Sequence, residues 1–206
     1  MNKLEMNKAI LNAPVIRNRV AHHEAGHYVT YLAYSKRYLE FPQVEGLTIK
    51  PTDSENLGLI THRPFVWGAF ERPDKVECNI KQILAGFAAE YLIEDHPFSP
   101  TDWFEEIQAA NFWGYDPEAT DDTNRALTSL AYIQDLTGLP TYDSGEVTQA
   151  LAPFFEAALI DVKRYWPLIQ EVAKQLLAQE EIKGADIQRL NENITERIEI
   201  EPFIEI

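Results

Sequence analysis

The 206-residue chain contains a single cysteine, Cys78, so no disulfide can form within it and a reducing compartment suits it best. Positive charge is scarce too: 18 Lys and Arg against 33 Asp and Glu leave a net charge of -15. A nucleic-acid partner demands basic patches and an anionic membrane surface demands polybasic segments, so this balance argues against both. No apolar run nears the roughly 18 residues a membrane span requires, and no signal peptide is visible at Met1. Internal repeats and low-complexity tracts do not stand out. The expectation is a cytoplasmic protein with no nucleic-acid partner and no membrane insertion.

What is present suits a folded domain. Apolar residues make up 45% of the chain and aromatics 11%, the composition of a globular protein and not a disordered one. One domain over residues 1–206 is expected, burying about 70% of the surface its unfolded chain exposes. Residues 1–12 form a polar leader that frays.

The chain is organised around His22-His23-Glu24-Ala25-Gly26-His27, which contains H-E-x-x-H at residues 23–27. On a helix, residues four apart leave the same face, so the His23 and His27 imidazoles can share one Zn²⁺ and leave its other positions open. Glu24 is rotated by roughly 100° from His23, beside the metal and not on it. There it can take a proton from a water that zinc has acidified to a pKa of about 7. Gly26 costs a helix about 1 kcal/mol relative to Ala, which points to a substrate, a metal or a packed backbone close by. His22 lies outside the pattern and reads as a bystander or a partner to a ligand.

Periodicity supplies the surroundings. A helix over 15–34 carries the motif, followed by two short strands at 46–51 and 57–61 with turn-forming residues between them. Pro73 opens a second helix through Leu92, and Cys78 falls off its apolar stripe as an inert thiol. Residues 95–119 read as irregular, broken by Pro97, Pro100, Gly114 and Pro117. This aromatic insertion, with Trp103, Phe104, Trp113 and Tyr115, is either a lid near the metal or a cluster packed on the surface. Thr120 looks like the N-cap of a helix ending at Gly138. A helical hairpin over 145–165 and 167–181 and a short helix over 185–190 come next. The tail at 197–206 alternates Ile and Glu as a strand does. The fold class is mainly α with a small β-sheet.

A catalytic zinc needs a third protein ligand. His62, Glu90, Glu94, His96, Asp121 and Asp122 are the available donors, and spacing does not choose between Glu90 and Asp122.

Five segments occur in the order found in the FtsH-type zinc metalloproteases, the peptidase domains of ATP-dependent membrane proteases. His23-Glu24-Ala25-Gly26-His27 resembles their zinc motif, and residues 47–51 with 57–59 resemble the two strands that follow it. Ala85-Gly86-Phe87-Ala88-Ala89-Glu90 is similar to their Gly-Gly-Arg-x-Ala-Glu helix. Residues 120–126 resemble their Ser-Asn-Asp-x-x-x-Ala segment, and residues 173–184 their C-terminal helix and turn. The resemblance covers roughly residues 20–190. It implies a helical zincin-like peptidase domain, with zinc on His23, His27 and Asp122 and with Glu24 as the catalytic base. It also implies that an extended polypeptide substrate pairs with Leu57, Gly58, Leu59, Ile60 and Thr61.

The chain departs from that family in three ways. No G-x-x-x-x-G-K-[ST] occurs, so the ATP-binding motor is missing, and self-association or a separate unfoldase partner would take its place. Phe87 stands where the family has Arg, and the aromatic insertion is longer than its counterpart. These departures motivate the rival expectation, a non-catalytic binding or regulatory protein that keeps the metal site.

Overall fold

The computed structural model describes residue 5 and residues 12–38, 43–51, 58–62, 72–94, 97–112, 117–137 and 147–199; within these, 62, 109–112, 117–121, 136, 147 and 148 are described as backbone alone. Seven helices and a small sheet make up the described residues: α1 (Pro14–Arg37), β1 (Val44–Thr48), β2 (Leu59–His62), α2 (Pro73–Ile93), α3 (Pro100–Phe112), α4 (Pro117–Thr137), α5 (Val147–Arg164), α6 (Trp166–Gln179), β3 (Glu181–Lys183) and α7 (Ala185–Arg197). The expected class, mainly helical with a small sheet, is what the structure has.

Proline begins most of these helices. Pro14, Pro73, Pro100, Pro117 and Pro167 all fall in the first two positions of a helix. The missing N–H would have had no partner there, and the fixed φ is already helical. This overturns the expectation that 95–119 is irregular. Pro100 and Pro117 start helices, and a proline acts as a breaker only in a helix interior. Thr120 accordingly lies inside the first turn of α4 and is not its N-cap. Gly114, Gly138 and Gly145 lie outside the described residues.

Helix α1 is the central element. From Val20 to Tyr34 it is buried on nearly every side except at His22, with α2 and α6 as its main neighbours. Gly26 permits the close crossing with α2: a Cβ there would sit 2.5 Å from the Ala85 carbonyl oxygen and 2.9 Å from the Ala89 Cβ. A packed backbone therefore explains this glycine. Cys78, expected off the apolar stripe, is buried in the core, because α2 is enclosed over more of its circumference than one stripe. Burial raises its thiol pKa, which keeps it unreactive.

The sheet is antiparallel in the order β2-β1-β3, with Leu47 opposite both Ile60 and Ile182. The first strand runs 44–48 and not 46–51, with an irregularity at Val44/Gly46. β3 was not expected. It occupies the end of the segment assigned to the second helix of the hairpin, because α6 stops at Glu180, which adopts a left-handed φ of 63°. α7 runs seven residues past the expected end at 190. Ile187, Leu190 and Ile194 are buried, and Ile198 just beyond the helix extends the same three-and-four spacing. Arg197 is thus helical and Ile198 caps the helix end, where the sequence suggested a strand; residues 200–206 lie outside the described residues. Lys36 Nζ donates to the carbonyls of Thr195 and Ile198 at 2.8 and 2.7 Å, which fixes that end against α1.

The described aromatics of the insertion are largely core. Phe104 is fully buried and stacks on Phe155 with ring centroids 4.4 Å apart, and Trp103 lies 6.0 Å from Phe155. Phe98 is exposed, whereas Trp113 and Tyr115 lie outside the described residues. Phe104→Ala should therefore lower unfolding free energy by about 3–5 kcal/mol in urea titration, the usual loss for a buried Phe. A lid residue would give almost none.

Candidate metal centre

Three helices converge on the site. α1 presents His23, Glu24 and His27 on consecutive turns, α2 crosses above them, and α4 brings Asp122 from 95 residues beyond His27. The two imidazole Nε2 atoms are 2.8 Å apart, and Asp122 Oδ2 lies 3.0 Å from His23 Nε2 and 2.9 Å from His27 Nε2. All three residues are buried, and they form a group able to hold a metal ion.

The outer bonds of the imidazoles determine what this triangle can bind. His27 Nδ1 lies 2.9 Å from the Gln82 carbonyl oxygen, which only accepts, so Nδ1 carries the proton. His23 Nδ1 lies 2.6 Å from Glu90 Oε1 and donates to that carboxylate. In neutral imidazoles both Nε2 atoms then turn lone pairs toward Asp122 Oδ2, itself an acceptor. Three acceptors facing one another need a cation between them, a proton or a metal ion. Two imidazoles and a carboxylate, each oriented by an outer partner, make a metal-ligand set.

Space around the triangle is preserved by glycine. A Cβ on Gly86 would fall 2.5 Å from His23 Nε2 and 2.6 Å from His27 Nε2. Any side chain there would enter the space the donors enclose. Gly58, just before β2, approaches Glu24 in the same way, with a hypothetical Cβ 2.5 Å from Oε1.

The charges respond to this enclosure. Burial disfavours the charged form of His23, but hydrogen bonds to Asp122 and Glu90 outweigh it and hold the pKa well above the ordinary 6.5. Burial also pushes Asp122 upward, yet the imidazoles of His27 and His23 against it outweigh this and keep it well below the ordinary 3.8. Glu24 is raised, chiefly by burial, with the imidazoles pulling the other way. Arg125 Nη1 donates to Asp122 Oδ1 at 3.2 Å, leaving Oδ2 toward the imidazoles.

Of the candidate third donors whose side chains are described, Glu90, Glu94 and Asp122, only Asp122 belongs to this group. Glu90 bonds the far side of His23 and also pairs with Arg19. Glu94 caps α2, His62 and Asp121 are described as backbone alone, and His96 lies outside the described residues. His22 Nδ1 donates to the Asn18 carbonyl and faces Trp166, outside the group. The expected substrate strand starts beside Glu24: Gly58 touches it, Leu59–His62 form the sheet edge, and Leu57 lies outside the described residues. Sequence reasoning missed Gln82, because a backbone carbonyl leaves no signature in residue type. It missed Arg125 as well, although its place one turn after Asp122 was visible. No protein-family model matches the chain, and no curated protein matches it.

Two outcomes test the centre. Asp122→Ala should abolish tight metal binding in a competition titration, whereas Glu90→Ala, which removes an outer partner, should weaken it about 10–100-fold. The second outcome concerns pH. In the metal-stripped chain, a His23 pKa raised on folding contributes stability that is complete below 6.5 and is lost as pH rises through the raised value. Metal ions require the deprotonated imidazole, so the gain in melting temperature on loading should grow as pH rises through that interval. A gain that shrinks with rising pH would contradict the assignment.

Proposed function

We propose that this chain is a zinc-dependent metalloendopeptidase resembling the FtsH protease domain, which hydrolyses peptide bonds in flexible or unfolded polypeptides, with no ATP-binding motif within its 206 residues. The observation that carries this reading is Glu24: a buried carboxylate beside the His23, His27 and Asp122 group, yet not a member of it. A metal that is merely bound gives no reason for a buried, unligated carboxylate next to it. Two imidazoles and one carboxylate also match the open three-ligand set of catalytic zinc, whereas closed structural sites use four protein groups and favour cysteine. Zinc held there would supply Lewis acidity toward a peptide carbonyl and would acidify a water.

The protein's own groups supply the remainder. Glu24, with its pKa raised by burial, accepts a proton from the attacking water and delivers it to the departing amine. Glu90 and Gln82 hold the imidazoles in the orientation the site needs. β2 lies at the edge of the sheet beside Glu24, so its outward backbone groups can pair with an extended substrate regardless of side chains. No helix among the described residues is long and apolar enough to cross a membrane. A cytoplasmic setting accords with the lone cysteine, and a separate unfoldase or a homo-oligomer would deliver folded targets.

The test is digestion of a permanently unfolded protein by the zinc-loaded chain. Cleavage should proceed without ATP, and a stably folded protein should resist. Glu24→Gln should reduce turnover by about 10²–10⁴-fold while zinc content stays at one per chain. Loaded protein that cuts no unfolded substrate would instead leave the non-catalytic binding or regulatory reading.

A further inference from the structure

Arg125 stands where the metal centre meets solvent. Its side chain is 50% exposed, whereas that of Asp122, one turn earlier on α4, is only 9% exposed. One of its five N–H groups reaches Asp122 Oδ1, and the guanidinium has no other hydrogen-bond partner among the described residues. The cation is therefore anchored by a residue of the metal group while half of its side chain stays exposed to solvent. Its charge also acts on Glu24, so it lies within electrostatic reach of the catalytic carboxylate.

The setting makes such a cation significant. Asp122, Glu24 and Glu90 cluster around the centre, in a chain of net charge -15. Even with a divalent ion bound, these carboxylates repel an anionic substrate group that does not itself reach the metal, unless a side-chain cation receives it. Arg19, the other nearby arginine, is engaged with Glu90. As a surface pair with Asp122 and nothing more, Arg125 would contribute almost nothing measurable. A planar fork with free donors is the side chain best suited to grip a carboxylate.

The geometry points to Arg125 as a specificity-determining residue that binds a carboxylate on the substrate close to the bond to be cut. This rests on the peptidase reading above. Two sources carry that chemistry, a free C-terminus and an Asp or Glu side chain.

The experiment measures binding without turnover, in the zinc-loaded Glu24→Gln chain by calorimetry. Three peptides of one sequence are compared: one with a free C-terminal carboxylate, one capped as the amide, and one capped as the amide with Glu as its last residue. The free acid or the Glu peptide should bind about tenfold more tightly than the neutral amide, the usual scale for a charge-assisted pair. The stronger of the two identifies the source. Arg125→Gln should bring the acid-to-amide ratio to about one, and Arg125→Lys should restore part of it. A ratio near one in the parent, a ratio unchanged in Arg125→Gln, or no binding of any peptide would overturn the proposal. A purely structural Arg125 would weaken all three peptides together and leave the ratio intact. Failure of the peptidase reading is seen separately, as absence of cleavage by the chain that retains Glu24.

Discussion

Everything at the centre depends on how closely α2 crosses α1. The contact at Gly26, where the backbone of α2 comes within reach of any added methyl group, sets the depth of the crossing. One face of α2 then carries Gln82, Ala85, Gly86, Ala89 and Glu90, spaced by three and four residues. Ala85 and Ala89 make the contact, Gly86 leaves the space above the imidazoles, and the Gln82 carbonyl and the Glu90 carboxylate accept hydrogen bonds from the two Nδ1 atoms. Packing and ligand orientation are therefore a single geometric problem here. A larger residue at position 26 would separate the helices and release both outer hydrogen bonds together. Overpacking of this kind costs about 1–3 kcal/mol, more than the roughly 1 kcal/mol a helix gains when Gly is replaced by Ala.

The cluster itself is poor design for stability alone. Two imidazoles and the carboxylates of Glu24 and Asp122 are buried together, with Glu90 nearly so. Removing charges from water is costly, and apolar residues in the same volume would do as well or better. Asp122 and His23 offset part of that cost through each other, which is why their pKa values move in opposite directions. Glu24 has no such hydrogen-bonded partner among the described residues, and burial raises its pKa. A group kept buried against its own solvation, next to a metal-ligand set, is the usual mark of a functional site.

How much of this could be read from the sequence followed from distance along the chain. The α1 motif was legible because its ligands are four residues apart and a helix fixes their relation. Asp122 was legible only through the resemblance at 120–126 and not from spacing, since 95 residues separate it from His27 and no local period links them. Glu90 was an equally good candidate by spacing, and the fold instead sets it behind His23. Helices α3 and α4 begin at Pro100 and Pro117, because a proline in the first turn starts a helix, whereas the same residue in a helix interior would break it. β3 has three residues, too few to give a period. The end of α7 was obscured because Ile198 fits both the helical stripe behind it and the Ile/Glu alternation ahead of it, and the cap backbone bond to Ile194 decided for the helix.

The same geometry limits what the proposed enzyme could act upon. Glu24 lies against the backbone at Gly58, just before β2, so under the proposed function an extended substrate would reach it along that strand, which is terminal in the described sheet. Main-chain pairing to that edge requires an extended segment of several residues, which folded proteins rarely expose. Selectivity must then come from groups beyond the strand, because ladder bonds are indifferent to side chains. Arg125, held by a member of the metal group and half exposed to solvent, would be such a group under the proposal above. A general edge and a selective cation close to one carboxylate would then let the proposed peptidase discriminate among chains that are already unfolded.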